Sequence, residues 1–274
     1  MPISALLLAL AAAVVHATWN LLLSDTPDTH SATAVALVVG TLVFAPVAAI
    51  SWRVHAAALP FVAASSALES LYLVLLATAY SVAAMGFVYP IARGSAPVLV
   101  LVGGALVTGA TVSALAAAGV LLVAGGIVLV RGLRSRGRPR ELALALSVGA
   151  CIAGYTLVDK HGITYAAPIA YLEMVFGVSA VVYLLGIWRW RGGSAVRAAC
   201  GRRTVLAGIG FFGAYALTLA ALRLAPAASV AAVRESSVVM AAAALAVSGR
   251  ERISAERLAG AVAVVAGIAL ISLG

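Results

Sequence analysis

Arg93 and Arg234 each stand near the middle of an otherwise apolar run. A guanidinium grips a carboxylate or phosphate through two parallel hydrogen bonds, so two of them point to an anionic group on a ligand. Tyr89 lies one helical turn before Arg93 and Pro97 one turn after it, which places all three on one helix face. Glu69, preceded at helical spacing by Ser65 and Ser66 and followed by Tyr72, and Glu173, one turn before Gly177, are carboxyls within apolar runs. Desolvation and a nearby arginine act on such a carboxyl in opposite senses. Glu69 and Glu173 are therefore the proton-coupling candidates, Glu69 the deeper of the two; the alternative is that each is a permanent counter-ion. His16 and Asn20 are one turn apart with Trp19 beside them, able to bond a polar ligand or simply a neighbouring Ala-rich helix. Glu235 follows Arg234 directly. Adjacent helical residues diverge by about 100°, so these two need not pair: one can face a cavity while the other meets a neighbouring helix.

The elements that must position these groups are membrane helices. The chain is 64% hydrophobic with mean hydropathy +1.13, and its apolar runs approach the roughly 20 residues that cross a bilayer as a helix. Ten are counted: 4–23, 33–52, 59–80, 84–107, 113–130, 141–159, 168–187, 204–222, 229–247 and 255–273. The fold class is an all-α membrane protein with no soluble domain. The first run lacks a basic lead-in and a small-residue cleavage site, and is expected to stay as a helix. Cys151 and Cys200 have no metal or disulfide spacing. The net charge of +9 comes from arginines clustered in loops, around 131–140, 189–203 and 250–257. That pattern sets membrane orientation and does not point to nucleic acid; it places those loops in the cytoplasm and both termini outside.

A charge in the middle of a bilayer is costly and usually marks a substrate or ion path. Here it occurs twice. When the sequence is slid along itself so that Arg93 falls on Arg234, RGSAPV lies on RESSVV, Gly119 on Gly260 and Gly126-Ile127 on Gly267-Ile268. Trp19 likewise pairs with Tyr155, and Ser24 with Lys160. The expected domains are 1–131, an arginine-rich linker 132–140, and 141–274. Five helices is an odd number, so the second repeat enters the membrane inverted, the arrangement that lets one half rock against the other around a central site. Pro90 and Pro97 free the carbonyls of Gly86 and Arg93, so the fourth helix is expected to break locally around the site; the alternative is a proline kink whose arginine pairs with a buried carboxylate for packing. Asp159-Lys160 reads as an anchor at the membrane edge. Phe211, Phe212 and Tyr215 read as core packing, with a cavity wall as the alternative, and the glycines at 119, 126, 260 and 267 as packing positions.

HATWN from His16, YPIARGSAPV from Tyr89, YTLVDK from Tyr155, and VRESSVVMAA followed by ERIS from Glu251 together resemble EamA-type members of the drug/metabolite transporter superfamily. The resemblance covers all ten runs and implies a ten-helix inverted-repeat carrier, often an exporter of small metabolites such as amino acids. Three features depart from it. Glu251-Arg252 is replaced in the first repeat by Ala110-Thr111, Ser24 stands where relatives tend to have lysine, and relatives are expected to keep both termini in the cytoplasm.

The expected function is secondary transport, by export or exchange, of a small polar metabolite such as an amino acid or organic anion, in a multi-pass protein of the cell membrane. The substrate-binding candidates are Arg93, Arg234, His16, Trp19, Asn20, Tyr89, Glu69, Tyr72, Glu173 and Tyr155. A hydrophobic-cation exporter is the alternative if both arginines are salt-bridged while Glu69 stays open; a lipid-phosphate flippase is another. No HExxH, aspartyl pair or serine–lysine dyad suggests an enzyme, and the sole lysine is followed by His161, which excludes a phosphate-binding loop. No cofactor, catalytic residue or metal is expected. The expected partners are a small-molecule substrate and the lipid bilayer; the number of copies is left open, a monomer being sufficient.

Overall fold

The computed structural model describes residues 1–24, 26–83, 85–109, 112–131, 138–247 and 254–273. In chain order the helices are α1 (Ile3–Ser24), α2 (Thr29–Ile50), α3 (Leu59–Val82), α4 (Met85–Thr108), α5 (Ala114–Arg131), α6 (Pro139–Gly162), α7 (Pro168–Arg191), the short α8 (Gly193–Ala198), α9 (Arg202–Leu224), α10 (Ala227–Arg234), α11 (Ser237–Val247) and α12 (Ala255–Leu273). Among the described residues nine spans are long and apolar enough to cross a membrane, with α10 and the start of α11 forming one of them. The tenth expected run is the shorter apolar stretch Ala114–Val130 within α5. Most of the linker 132–137, Ala110-Thr111 and Glu251-Arg252 lie outside the described residues.

Local signals start and stop these helices. Pro60, Pro139 and Pro168 fall in first turns, where the missing N–H costs nothing. The proline at 139 starts α6 two residues inside the expected linker, helped by the Arg138 amide, which donates to Glu141 Oε2 at 3.0 Å. The Asp28 carboxylate caps α2, accepting from the Ser31 amide at 3.2 Å and its hydroxyl at 2.6 Å.

Two features differ from the sequence expectation. α4 runs unbroken from Met85 to Thr108, past Arg93 and Pro97. A proline removes one hydrogen bond, and a helix packed on several sides can bend there without ending. The break falls instead after Arg234, where no proline stands. Ser236 N donates to Val233 O at 3.1 Å and Val238 N to Glu235 O at 3.0 Å, bonds of the tight three-residue kind. The local sequence Glu235-Ser236-Ser237 supplies short polar side chains that disfavour a regular helix interior.

Small residues set the closest helix contacts. α5 and α12 meet along Gly119, Gly126, Gly260 and Gly267, which are packing positions as expected: a Cβ on Gly126 would stand 2.7 Å from Gly260 O, and one on Gly267 would stand 2.6 Å from Gly119 O. Elsewhere α1 packs on α9, α3 on α6, α2 on α7 and α9, and α4 on α5, α6 and α10. On the face that carries the termini, short loops are tied together. His55 N donates to Tyr165 O at 2.9 Å and Ala167 N to Arg53 O at 2.8 Å, while Arg223 donates to the carbonyls of Ile163 (3.0 Å) and Ala166 (2.7 Å).

Candidate functional site

Arg93 from the middle of α4 and Arg234 from the end of α10 converge on one carboxylate. Arg93 Nη1 donates to Glu235 Oε1 at 3.1 Å, and Arg234 Nη2 donates to the same oxygen at 3.3 Å. Arg234 and Glu235 thus pair although they are sequence neighbours, Glu235 standing at the end of α10 where the tight turn begins. The expectation that they need not pair is thereby corrected. All three are buried, with exposures of 7% for Arg93, 4% for Arg234 and 1% for Glu235. Arg93 Nη2 also meets His16 Nε2 at 3.1 Å. Since a guanidinium can only donate, that ring nitrogen accepts and the imidazole is neutral with its proton on Nδ1. The guanidinium carbons lie over aromatic faces, Arg93 over Tyr89 (5.5 Å) and Arg234 over Tyr215 (5.8 Å).

These groups border a central cavity of about 40 Å³, room for a few water molecules. Its charged wall is Arg93, Arg234 and Glu69; Trp19, Tyr72, Tyr155, Phe176, Phe211 and Tyr215 form an aromatic wall, with His16 between. Next to it lies a vestibule of about 160 Å³ that shares Trp19, Tyr72, Arg93 and Phe211 and passes Asn20 and Tyr89 to reach Thr29 and Thr33. The first turn of α2 and the end of α1 border the vestibule. The space therefore extends toward the arginine-rich face, while the tied loops lie at the other.

Polar satisfaction within the cavity is uneven. Among the described residues Trp19 Nε1 and Arg234 Nε are buried donors with no acceptor, a costly condition unless a ligand supplies one. Glu69 makes no hydrogen bond or ion pair among the described residues. The arginine cluster has two positive charges and one negative one, leaving a formal excess of one positive charge opposite an unpaired carboxyl.

Residues 140–273 match the EamA-like transporter family. The second half of the chain is thus similar to that family. A solved structure titled "Crystal structure of protein" has the same fold, with a TM-score of 0.76 over 98% of each chain at 18% identity. Among curated proteins none matches significantly.

The structure brings most of the sequence candidates together. Arg93, Arg234, His16, Trp19, Glu69, Tyr72 and Tyr155 line the central cavity, and Tyr89 lines the vestibule. Asn20 also faces the vestibule, but its amide donates to His16 O of its own helix at 2.8 Å. Glu173 lines neither space, and its Oε2 is buried without a partner. Phe211 and Tyr215, expected as packing, are cavity wall, whereas Phe212 is fully buried core. Glu235 as shared counter-ion was missed; its position beside a buried arginine was the available signal. Asp159 is not an edge anchor but fully buried, and Lys160 turns away to the carbonyls of Leu222 and Ala225.

The orphan indole donor gives a direct expectation. Trp19→Phe keeps an aromatic ring beside His16 and Phe211, whose centroids each lie 4.9 Å from the Trp19 ring, and removes the N–H together with part of the indole. A hydrogen bond to a charged group contributes about 1.5–3 kcal/mol, so KM for an anionic or zwitterionic substrate should rise about tenfold or more with folding unchanged. An unchanged KM would mean that the indole N–H does not touch substrate.

Proposed function

We propose that this transporter moves a small zwitterion bearing both a carboxylate and an ammonium, of the amino-acid type, across the cell membrane by export or exchange. The observation that carries this reading is the charge arrangement of one cavity: a three-residue cluster with one positive charge to spare, and Glu69 unpaired across from it. A ligand carboxylate would accept from Trp19 Nε1 and Arg234 Nε, and its ammonium would find Glu69. The aromatic wall suits an apolar side chain. The pairing of α1 with α9 and of α3 with α6 is what two inverted five-helix repeats require, since the repeat relates the first helix to the sixth and the third to the eighth. With the space reaching one face and the loops tied at the other, alternating access would proceed by loosening the tied face as the vestibule closes.

A second reading is favoured by one observation. Both arginines touch Glu235 while Glu69 stays open, the condition under which export of a hydrophobic cation was expected. Against it, a single carboxylate cannot neutralise two guanidiniums.

Uptake into proteoliposomes separates the readings with a panel of amino acids, dicarboxylates and the lipophilic cation tetraphenylphosphonium. Amino acids should be transported best. Arg93→Ala and Arg234→Ala should each lower that transport on the order of a hundredfold, the cost of truncating one partner of a buried charged contact. Either variant leaves Glu235 with one arginine, a balanced pair, so the protein should still fold. Transport of tetraphenylphosphonium that survives both arginine changes and fails in Glu69→Gln would replace the amino-acid reading with the cation reading.

A further inference from the structure

Asp159 immediately precedes Lys160, yet its side chain is fully buried and makes no ion pair among the described residues. Its carboxylate accepts from two phenols instead, Tyr171 of α7 at 2.9 Å and Tyr215 of α9. The Ser65 hydroxyl of α3, itself wholly buried, stands beside the same carboxylate and completes no hydrogen bond of good geometry. One turn further along α3 is Glu69, in the cavity wall. Tyr215 makes the same connection from the other side, with its ring in the cavity wall and its hydroxyl on Asp159.

We propose that Asp159 is a proton-binding site of this transporter, exchanging its proton with the central cavity by way of Ser65, Tyr215 and Glu69. Hydrogen-bond arithmetic supports it. With the carboxylate ionised, Ser65 can rotate its O–H to donate a third bond beside the two phenols. With the carboxyl protonated, its own O–H donates to a Ser65 lone pair while both phenols still donate to it. Both states keep the Asp159 carboxyl hydrogen-bonded to all three neighbours, so one proton can arrive from the cavity, taking the site from −1 to neutral, and leave again with only the Ser65 hydroxyl turning. A metal ion fits less well, because both phenols direct hydrogens rather than lone pairs at the carboxylate.

The charged and titratable surroundings are compatible with such a role. Glu69 faces the site from α3, Tyr171 from α7, Tyr215 from α9 and Arg234 from α10. α4, which also packs on α6, contributes Arg93, already engaged by Glu235 and His16. On α6 itself Lys160 points away, and Tyr155 lines the cavity. Asp159 lies near the end of α6, whose following loop is held by Arg223. The site is thus placed between the cavity and the tied face, where a proton taken up with substrate would have to pass.

The assignment of transport to this chain gives the site its purpose, but the test needs no substrate. Purified protein in lipid vesicles is examined by infrared difference spectroscopy between low and high pH. Wild type should show a protonated-carboxyl C=O band that disappears as pH rises. Asp159→Asn should lose that band, and Ser65→Ala should shift it, because one hydrogen-bond partner is gone. Asparagine can accept from one phenol through its oxygen and donate through its NH2 to the other phenol's oxygen and to Ser65, so folding should be retained. Should that variant nonetheless fail to fold, the Ser65→Ala shift decides, and an unshifted band overturns the proposal. So does a band that persists in Asp159→Asn or is lost wholly in Glu69→Gln. Failure here leaves the amino-acid uptake result untouched, and failure of uptake leaves this spectrum untouched.

Discussion

Glu235→Ala is expected to give a protein that no longer survives extraction from the membrane as a folded, monodisperse species. The carboxylate is the ionic partner of both Arg93 and Arg234, and it is 1% exposed. Removing it leaves two buried guanidiniums with no carboxylate in contact, Glu69 being the remaining carboxyl of the cavity wall. Removing one member of a buried ionic group typically costs about 3–5 kcal/mol, against a total stability of about 5–15 kcal/mol for a folded protein. Here two cations are stranded, so the upper part of that range applies. The measurement is thermal unfolding of the detergent-solubilised protein followed by size-exclusion profile. Charge balance also predicts a rescue. Combining Glu235→Gln with Arg93→Gln leaves Arg234 opposite Glu69 and should recover much of the lost stability, though not transport. If Glu235→Ala melts within a degree or two of wild type, Glu235 is not the charge that holds this cluster together.

The rescue also separates two jobs that the arginines perform at once. As charges they must be balanced for the helices to pack; as donors they must stay partly unsatisfied for a ligand to bind. One carboxylate shared between two guanidiniums meets both demands, because it neutralises half of the charge and leaves Arg234 Nε without an acceptor. A second permanent counter-ion would stabilise the fold and occupy the site.

What could be read from the sequence follows from which physical terms are local. Helix number and order come from long apolar runs, so most span boundaries in the structure lie within a few residues of the expected ones. The glycine seam was also readable, because a repeated glycine at helical spacing needs only the absence of a side chain to act. The gathering of Arg93, Arg234, Glu69, Trp19, Tyr72 and Tyr155 in one cavity could be anticipated, since polar groups inside apolar helices have few places to go. Pairing was not readable. Whether Glu235 or Glu69 meets the arginines depends on how the end of α10 packs against α4, which no local pattern specifies. The prolines of α4, a louder local signal, do not end the helix, which runs from Met85 to Thr108. Asp159 was obscured by its neighbour: an Asp-Lys step reads as an edge pair, and only the packing of α7 and α9 brings two tyrosines to the carboxylate.

The second large effect is expected far from the cavity. Gly126→Leu should prevent α5 and α12 from closing on each other. An added Cβ at Gly126 would meet Gly260 O at 2.7 Å, Val264 Cγ2 at 2.7 Å and Val264 N at 3.0 Å, and two of these three are backbone atoms that cannot rotate aside. In a bilayer the hydrophobic effect does little to drive helices together, so close van der Waals approach is most of what holds such a seam. Overpacking a well-packed site costs about 1–3 kcal/mol, and occasionally more; with rigid backbone opposite, the cost should reach or exceed the top of that range. The neighbouring Gly125 supplies the control, since a Cβ there meets nothing within 4 Å. Gly125→Leu should be neutral or slightly stabilising, because glycine in a helix costs about 1 kcal/mol relative to a good helix former. Neither helix lines the central cavity or the vestibule. Whatever fraction of the Gly126→Leu protein does fold should therefore bind substrate with an unaltered KM, while yield and Tm fall. A Gly126→Leu protein as stable as the Gly125→Leu control would show that the two helices can separate without cost, and the seam would lose its structural role.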